Sequence, residues 1–519
     1  MPEINRREFH RRVTASIAGS WAASAAGKAA GATRPNILVV CSDQHGVRWM
    51  DPGGAGVVRT PHMKRLASRG VLFSRAHSAN PVCVPSRAAL MTGRYPSDVG
   101  SYCNSTPFDG RVPTWGTKLR DAGYSGMAIG KLDLVGGKDY GFREVGTTHD
   151  HDPNPDVTSL FRRPLCYRVD ERPLVNGEFA NRIHVDDGRT RRLLEFLRAD
   201  ARRSESPWSV FLGLELPHHP YVAHRRFAGM YPAQSVPMPD LPAGHLEQLH
   251  LALQAQRNFK LLSEPVPADR VARARSAYFA MVTELDEYLG MILDELDRSG
   301  LRDNTIVVYT SDHGEMLGEH GLWLKNNLLD DSVRVPLILA GPGVPSGRVI
   351  DTPVSHVDLV ATLLDFGGGD ATGLRGRSLR PLMAGEQGGH PGWAYAESHS
   401  EGNLTGSFMI RKGPWKYVHF SWFPSLLFNT DADPGEFRNL AGSPEAREVE
   451  KELREILLSR VDPEQITEAA FREQERRLGS LVRNKTADEF YRQLLKRLGP
   501  GQAGAFTNRH YPGFRGPRS

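Results

Sequence analysis

Cysteine is scarce in this chain, with only four residues among 519. They are Cys41, Cys83, Cys103 and Cys166. Four cysteines are too few for the disulfide framework of a small secreted scaffold, and their spacing fits no zinc ribbon. Because Cys41 ends an apolar run, we expect it in the core.

The sequence also lacks a strong charge of one sign, an internal repeat and, after its N-terminal segment, a long apolar run. Its 65 basic and 60 acidic residues leave a net charge of only +5, and we expect no nucleic-acid partner. No later stretch reaches the ~18 apolar residues of a membrane span. A chain of this length exceeds a single core, which predicts one large soluble domain and a smaller one.

The N-terminal segment differs in composition from the rest. Arginine pairs, the first at Arg6-Arg7, precede an Ala/Ser/Gly-rich stretch without an acidic residue after Glu8. The string NRREFH resembles a twin-arginine export signal, and Ala23 to Ala25 offers small residues for cleavage. We therefore predict an export signal over residues 1–33, use of the twin-arginine machinery, and a periplasmic or secreted protein. The alternative is a disordered basic tail.

Two apolar runs end in residue types that bind metals. PNILVVCSD, from Pro35, predicts a buried parallel strand that ends at Asp43, and NTIVVYTSDHG, from Asn304, leads into Asp312 and His313. Ligands bind at such strand ends in open α/β sheets. Taken alone, an aspartate after a strand is more often a cap than a ligand.

Amphipathic helices alternate with these strands, and the clearest is predicted from about Arg270 to Ser299. This alternation predicts the α/β class, with a mixed or parallel sheet covered on both faces. Aromatic-rich segments with period two predict a smaller antiparallel α+β domain over 386–480, including a helix at 444–459. Residues 481–519 predict a basic, partly disordered tail.

The most informative segment is CVPSRAALMTGR, from Cys83 to Arg94. Pro85 suits the opening of a helix, and Ser86 to Thr92 predicts a short helix that ends near Gly93. A residue at such a helix start faces unpaired backbone N–H groups, which stabilise a bound sulfate or phosphate and a negative nucleophile. Arg87 would add a planar cation one turn further along.

These residues match the sulfatase signature, CxPSR followed by TGR, so the chain resembles the formylglycine-dependent sulfatases of the alkaline phosphatase superfamily. The resemblance implies a large, mostly parallel mixed sheet between helices, with the catalytic domain over residues 34–385. It also implies that a formylglycine-generating enzyme oxidises Cys83, before any export in the folded state. The hydrated aldehyde of formylglycine is the nucleophile in that family.

The same resemblance implies one divalent metal. Carried over to this chain, the ligands are Asp43, Gln44, the modified Cys83, Asp312 and His313. Gln44 and His313 depart from the commonest set, and an amide and an imidazole make the site less hard than an all-carboxylate one. We expect Ca²⁺, with Mn²⁺ as the alternative.

Further motifs imply residues that bind and activate the sulfate. Lys131 in GKLD, His218 in PHHPY and Lys325 in WLK would surround its oxygens together with Arg87, and His218 or Lys325 would protonate the leaving alcohol. Asp133 stands where most sulfatases carry a histidine. The base for the release step stays open between Asp133, the metal-binding histidine and Arg87.

GKLD, FLGLELPHHPY and GPWKYVHF resemble the family branch that contains arylsulfatase K, in which His399 becomes a candidate substrate contact. His399 also fits an ordinary loop histidine. The resemblance runs from about Pro35 to about Ala441 and implies hydrolysis of a sulfate ester, on a sulfated sugar or other small molecule. Two alternatives stay open: a phosphodiesterase or phosphonate monoester hydrolase, and a non-catalytic sulfated-glycan binding protein.

Overall fold

An eight-stranded mixed sheet lies at the centre of the molecule. The described strands are β1 (Asn36–Ser42), β2 (Gly70–Phe73), β3 (Ala76–His77), β4 (Ser125–Gly130), β5 (Arg143–Val145), β6 (Gly177–Ala180), β7 (Trp208–Gly213), β8 (Tyr221–His224), β9 (Thr305–Ser311), β10 (Leu337–Ala340), β11 (Arg348–Ile350), β12 (Val354–Ser355), β13 (Trp393–Ser398), β14 (Ser407–Lys412), β15 (Trp415–Phe420) and β16 (Phe423–Asn429). The large sheet has the spatial order β11-β2-β10-β9-β1-β7-β4-β5, and β10 runs antiparallel to both of its neighbours. The mostly parallel mixed sheet confirms the predicted fold class.

The computed structural model describes residues 34–51, 53–54, 56–145, 157–386 and 388–516. The predicted export signal over 1–33 lies outside these residues. From Pro35 onward the chain forms one compact unit, which contains both the large sheet and the smaller C-terminal sheet. Within the described part, no helix is both long and apolar enough to cross a membrane.

Helices cover both faces of the large sheet. The described helices are α1 (Pro61–Ser68), α2 (Cys83–Thr92), α3 (Pro96–Val99), α4 (Trp115–Asp121), α5 (Glu171–Leu174), α6 (Val185–Arg198), α7 (Leu251–Phe259), α8 (Ala268–Arg298), α9 (Asp330–Val333), α10 (His356–Gly367), α11 (Arg380–Ala384), α12 (Arg447–Arg460), α13 (Pro463–Arg483) and α14 (Ala487–His510). Short 3-10 turns span Val47–Trp49, Val157–Leu160, Ala201–Arg203, Arg225–Phe227, Ala233–Ser235, Arg302–Asn304, Glu319–Gly321 and Pro444–Ala446.

The alternation of side chains along β1 explains the two layers of helices. Leu38 and Val40 join the apolar cluster that contains the inner face of α8, whereas Ile37 and Val39 join the cluster that contains α10. Successive side chains of a strand point to opposite faces, so a strand with apolar residues at every position is buried on both sides. The predicted long helix is confirmed as α8, within two residues at its start.

The C-terminal part contains the antiparallel sheet β13-β14-β15-β16, against which α12 lies. The last helix, α14, differs from the partly disordered tail that the composition predicts. Basic residues such as Arg492 and Lys496 lie on its exposed face. Phe490, Leu494 and Leu498 are buried in one cluster with Phe161. The segment forms an ordered helix because its apolar residues recur every four positions and can be buried on one face, in spite of its basic composition.

Candidate active site

Two carboxylates meet at the carboxyl ends of neighbouring strands. In the parallel pair β1 and β9, Ser42 lies opposite Ser311, so the next residues, Asp43 and Asp312, leave the sheet side by side. Both are fully buried. The Asp312 Oδ1 atom accepts hydrogen bonds from the backbone N–H groups of Gln44 (3.1 Å) and His313 (2.9 Å). Sheet register therefore brings together two predicted ligands that are far apart in the chain.

Cys83 faces these carboxylates from the first residue of α2, which begins three residues earlier than predicted. Gly93 ends the helix in the left-handed region, at φ 63°. The Cys83 sulfur lies 3.1 Å from His313 Nε2 and 3.8 Å from Asp43 Oδ1. Burial, with a smaller contribution from the charge of Asp43, raises the pKa of this thiol to about 12. An unmodified Cys83 is therefore a poor thiolate nucleophile near neutral pH.

The side chains around Cys83 fit a divalent cation. Ligand atoms of Asp43, Cys83, Asp312 and His313 all lie within 4.8 Å of one another. His313 Nδ1 lies 3.0 Å from the Gly314 carbonyl oxygen and donates to it, which leaves the Nε2 lone pair facing the carboxylates. Burial lowers the pKa of His313 to about 4, so this ring is neutral and able to bind a metal.

Gln44, the fifth predicted ligand, lies beside this group, and its side chain is hydrogen-bonded to other residues. Its Oε1 atom accepts a hydrogen bond from the Lys325 ammonium at 2.6 Å, and its Nε2 donates to Glu315. Its backbone is in the left-handed region, at φ 69°. Metal ligation by Gln44 stays a prediction, since Lys325 occupies the carbonyl oxygen in this arrangement.

Three cations balance three carboxylates at the centre. Arg87 Nε donates to Asp312 Oδ2 at 2.9 Å, and Lys131 Nζ lies 2.5 Å from Asp43 Oδ2 and 3.3 Å from Asp133 Oδ2. Burial disfavours the charged form of Asp43 and would raise its pKa. The neighbouring cations, above all Lys131, have the larger effect and hold the pKa of Asp43 well below its usual range. The third cation is Lys325. A divalent metal would make this buried group net positive, which favours an anionic ligand.

His218 lies next to Lys325. Its Nε2 is 3.0 Å from Lys325 Nζ, and its ring stacks on His219 at a centroid distance of 4.0 Å. Burial and the positive charge of Lys325 together hold the pKa of His218 well below its usual value. The imidazole is therefore neutral and accepts the hydrogen bond from the Lys325 ammonium.

The segment that carries Lys325 has an unusual backbone. Leu324 and Asn326, on either side of it, have φ values of 65° and 92°, which are uncommon for residues other than glycine. The buried Lys260, at the end of α7, donates from Nζ to the Trp323 carbonyl (2.7 Å) and the Lys325 carbonyl (3.2 Å). Strained backbone that persists because its surroundings hold it is typical of functional sites.

These side chains open into a cavity of about 410 Å³. Its lining includes Cys83, Lys131, His218 and Lys325, but not His399. His399 is fully buried, with its ring 5.5 Å from that of Tyr102 and 5.3 Å from that of Phe408. The structure therefore brings every other predicted site residue to the cavity or to the charged group behind it, and does not bring His399 to the cavity wall.

Sequence reasoning missed several lining residues, among them His219, Lys260 and Glu171, and it named Arg497 only as one of the basic residues of the C-terminal tail. His219 had a local signal, because it is the second histidine of PHHPY. The other three come from segments without a motif, and only their tertiary positions connect them to Cys83.

Comparisons with known proteins agree with this site. The sequence profile of the Sulfatase family matches residues 35–369, and that of the C-terminal region of N-sulphoglucosamine sulphohydrolase matches residues 318–462. The chain is 34% identical to the choline-sulfatase of Rhizobium meliloti (79% of this chain, 83% of the relative). It is 30% identical to arylsulfatase K of Danio rerio (85% and 86%).

A solved structure shares the fold. The phosphonate monoester hydrolase of Agrobacterium radiobacter superimposes with a TM-score of 0.69 at 26% identity, over 82% of this chain and 95% of that one. Together with the profile match over most of the chain, these likenesses show that the protein belongs to the sulfatase family of sulfuric ester hydrolases.

Proposed function

We propose that the protein hydrolyses a sulfate ester of a sugar to the alcohol and inorganic sulfate, with formylglycine at position 83 and a divalent metal. The observation that carries this proposal is the position of Cys83. It starts a helix, faces two carboxylates and an imidazole, and lines a cavity together with Lys131 and Lys325.

Asp43, Asp312 and His313 would hold the metal, which would supply positive charge beside the nucleophile and the sulfate oxygens. Oxidation of Cys83 to formylglycine would replace the thiol by an aldehyde, and addition of water to that aldehyde would supply the hydroxyl group that attacks sulfur. Arg87 is anchored by Asp312 and by the Lys131 carbonyl (2.7 Å), and its Nη2 atom has no hydrogen-bond partner among the described residues.

The chain's own cations would neutralise the sulfuryl oxygens as negative charge develops on them. Lys131, Lys325 and Arg87 are fixed by buried partners, so little reorganisation is required when that charge appears. We assign the proton for the leaving alcohol to Lys325 rather than His218. The reason is that burial and the charge of Lys325 keep the His218 ring neutral, so that of these two side chains only the Lys325 ammonium, which donates to Gln44 Oε1 and His218 Nε2, is a charged proton donor.

The lining of the cavity supports a sugar as the alcohol. No phenylalanine, tyrosine or tryptophan is among the described residues that line it, and charged and amide side chains predominate. A choline ester, by contrast, is a quaternary ammonium compound, which proteins commonly bind over aromatic faces. Hydroxyl groups of a sugar match the alternating donors and acceptors of this wall.

A phosphonate monoester or a phosphodiester is the second candidate substrate, because the superimposed hydrolase has the same fold and a cationic pocket accepts both kinds of anion. The relative turnover of an aryl sulfate and an aryl phosphate diester separates these activities. A binding protein without catalysis is less well supported, since Cys83 and the metal-binding side chains around it are all present.

The first test is the mass of the tryptic peptide that contains Cys83, from protein produced together with a formylglycine-generating enzyme. We expect a loss of ~18 Da relative to the thiol form, with the peptides of Cys41, Cys103 and Cys166 unchanged as internal controls. We also expect sulfate release to disappear in Cys83→Ala protein. An unmodified thiol, or full activity in that variant, would contradict the proposal.

Metal removal is the second test. Chelation with EDTA should abolish sulfate release and lower the unfolding midpoint, because a bound metal at 100 times its Kd stabilises the fold by ~2.7 kcal/mol. Restoring Ca²⁺ or Mn²⁺ separately identifies the metal. Unchanged activity after complete chelation would contradict the metal assignment.

A further inference from the structure

Glu315 is a fully buried carboxylate beside the active site that has no role in the proposed mechanism. It lies two residues after His313, on the loop that leads from β9 to Lys325. It is not among the described residues that line the cavity. Both of its oxygens nevertheless accept hydrogen bonds, one from the Gln44 side chain and the other from the backbone of its own loop. A buried charge that is bound on both sides can hold other groups in position.

The side chain of Gln44 connects Glu315 to Lys325. Its Nε2 group donates to Glu315 Oε2, and its Oε1 atom accepts from Lys325 Nζ at 2.6 Å. A carboxylate only accepts hydrogen bonds, and an ammonium group only donates them. Of the two orientations of the amide, which differ by a half-turn, only the observed one therefore satisfies both neighbours.

Other contacts of Gln44 do not select this orientation. Its backbone N–H donates to Asp312 Oδ1 at 3.1 Å, and its backbone carbonyl accepts from the Tyr278 hydroxyl at 2.7 Å. These two contacts fix the main chain but not the amide. His219 Nδ1 lies 3.3 Å from both Oε1 and Nε2, so it does not distinguish the two ends. At the end of the amide opposite Lys325, the choice is made by Glu315.

The second oxygen of Glu315 holds the loop that carries Lys325. Its Oε1 atom accepts from the backbone N–H groups of Leu317 and Leu324, each at 2.7 Å. Both leucines have positive φ values, 46° and 65°, which residues other than glycine rarely adopt. Leu324 directly precedes Lys325 in the chain. One carboxylate thus holds the backbone next to Lys325 and, through Gln44, the acceptor of its ammonium group.

The same orientation of Gln44 suits a bound metal. An amide binds a cation through its carbonyl oxygen and not through its NH2 group. Gln44 therefore needs its oxygen at the end away from Glu315, whether that oxygen accepts from Lys325 or binds a divalent cation. The orienting effect of Glu315 is the same in both cases.

We propose that Glu315 is a positioning residue, which orients the Gln44 amide so that its oxygen faces Lys325 and thereby fixes the ammonium group of Lys325. The inference rests on the proposed function for the role of Lys325 as proton donor, and it extends that function to a residue that does not contact the substrate. A chain of hydrogen bonds then runs from Glu315 through Gln44 and Lys325 to His218.

The test exchanges the two side chains. In Glu315→Gln, the new amide accepts from the Leu317 and Leu324 N–H groups only if its NH2 group faces Gln44, which turns the Gln44 NH2 group towards Lys325. We expect kcat for 4-nitrocatechol sulfate to fall about 10- to 100-fold, with a smaller change in KM, because a hydrogen bond to a charged group is lost.

The double variant Glu315→Gln/Gln44→Glu should recover most of kcat. The carboxylate at position 44 then accepts from Lys325 on one side and from the amide at position 315 on the other, so no orientation has to be selected. Gln44→Glu alone should be at least as damaging as Glu315→Gln, since it places two carboxylates side by side. Recovery in the double variant is the expected sign of a direct coupling between the two positions.

The unfolding midpoint gives a readout that does not depend on turnover. Both single variants should lower it, and the double variant should restore most of the loss. If Glu315 only stabilised its own loop, a change at position 44 would restore nothing. Should Glu315→Gln fail to fold, recovery of folded protein in the double variant supports the inference, and failure of both to fold overturns it.

Glu319→Gln is the matched control, because Glu319 is a buried carboxylate of the same loop whose partner is Arg275, at 3.1 Å. It should lower the midpoint, retain kcat and gain nothing from Gln44→Glu. An unchanged kcat in Glu315→Gln would overturn the inference, as would a double variant no better than Glu315→Gln in either kcat or midpoint. An unaltered enzyme that carries formylglycine and metal but releases no sulfate would contradict the proposed function, and the midpoints would still decide the role of Glu315.

Discussion

At the scale of single residues, Asp133 is the most distinctive feature of the site. It stands where the sulfatase pattern has a histidine, and it is fully buried with its Oδ2 atom 3.3 Å from Lys131 Nζ and 3.6 Å from Arg87 Nε. The three buried carboxylates and three buried cations therefore balance. A histidine at this position would leave the two cations with one negative charge fewer.

We predict that Asp133→Asn lowers the free energy of unfolding by about 3 kcal/mol, because removing one partner of a buried ion pair leaves the other charge uncompensated. Asn tolerates the left-handed backbone at this position, where φ is 57°, so the charge is the only large change. We also expect kcat/KM to fall at least tenfold, as Lys131 and Arg87 lose their common anchor. Chemical denaturation and steady-state kinetics measure the two effects.

The control is Asp139→Asn, which removes a carboxylate from an exposed pair with Arg120 (2.8 Å). Exposed pairs contribute at most about 1 kcal/mol. If both variants behave alike, buried charge balance does not explain Asp133.

At the scale of elements, the segment of Lys325 depends on helix α7. Lys260 follows the last residue of α7 and binds the carbonyls of Trp323 and Lys325, while Gln256 donates to the Asn326 carbonyl at 2.9 Å. Together they hold backbone at positive φ on both sides of Lys325, the proton donor in the proposed function. Helix α7 carries none of the predicted catalytic residues, but it fixes the position of one of them, Lys325.

We predict that Lys260→Met lowers kcat more than it raises KM, by tenfold or more in kcat/KM, because Lys325 loses its fixed position while the cavity keeps its other cations. The stability loss should be about 1–3 kcal/mol, the cost of leaving buried carbonyls without a donor. Lys118→Met is the matched control, since Lys118 also binds two carbonyls, those of Asp370 (2.8 Å) and Thr372 (2.9 Å), but at the surface. Kinetics indistinguishable between the two variants would refute the positioning role.

At the scale of the whole molecule, buried neutral histidines make stability depend on pH. Burial lowers the pKa of His77 to about 3 and that of His320 to about 3. In the unfolded chain each titrates near its ordinary value of ~6.5, so only the unfolded state takes up protons as the pH falls below that value. The stability these histidines contribute is complete above pH ~6.5 and is lost progressively towards pH ~3.

We predict that the slope of unfolding free energy against pH, between pH ~6.5 and ~4, becomes shallower in His77→Gln, by at most ~1.4 kcal/mol per pH unit. Glu436, whose pKa burial raises to about 7, acts in the opposite direction. The difference between variant and unaltered protein isolates His77, which also faces the Asp330–Lys416 pair. An unchanged slope in His77→Gln would contradict the prediction.

The N-terminal boundary of α2 and the state of the last helix show the limits of local patterns. Pro85 indicates a helix that begins nearby, but Cys83 is already the first helical residue, because the Ser86 N–H donates to the Val82 carbonyl at 2.9 Å and closes the first turn around Cys83. The tail of the chain looked disordered from its basic composition, although Phe490 and Leu494 find a buried partner surface around Phe161. Local propensity is a weak guide where tertiary burial decides.

The sequence by itself determined the strands that end in Asp43 and Asp312, the helix that carries Cys83 and Arg87, and the family. These features depend on hydrophobic period and on a short motif, both of which are properties of neighbouring residues. Only the tertiary structure decided that His399 is enclosed by aromatic rings away from the cavity, that Lys260 holds the segment of Lys325, and that Arg497 lines the cavity. Such contacts join segments that are distant in the chain, and they are set by strand register and helix docking rather than by any local pattern.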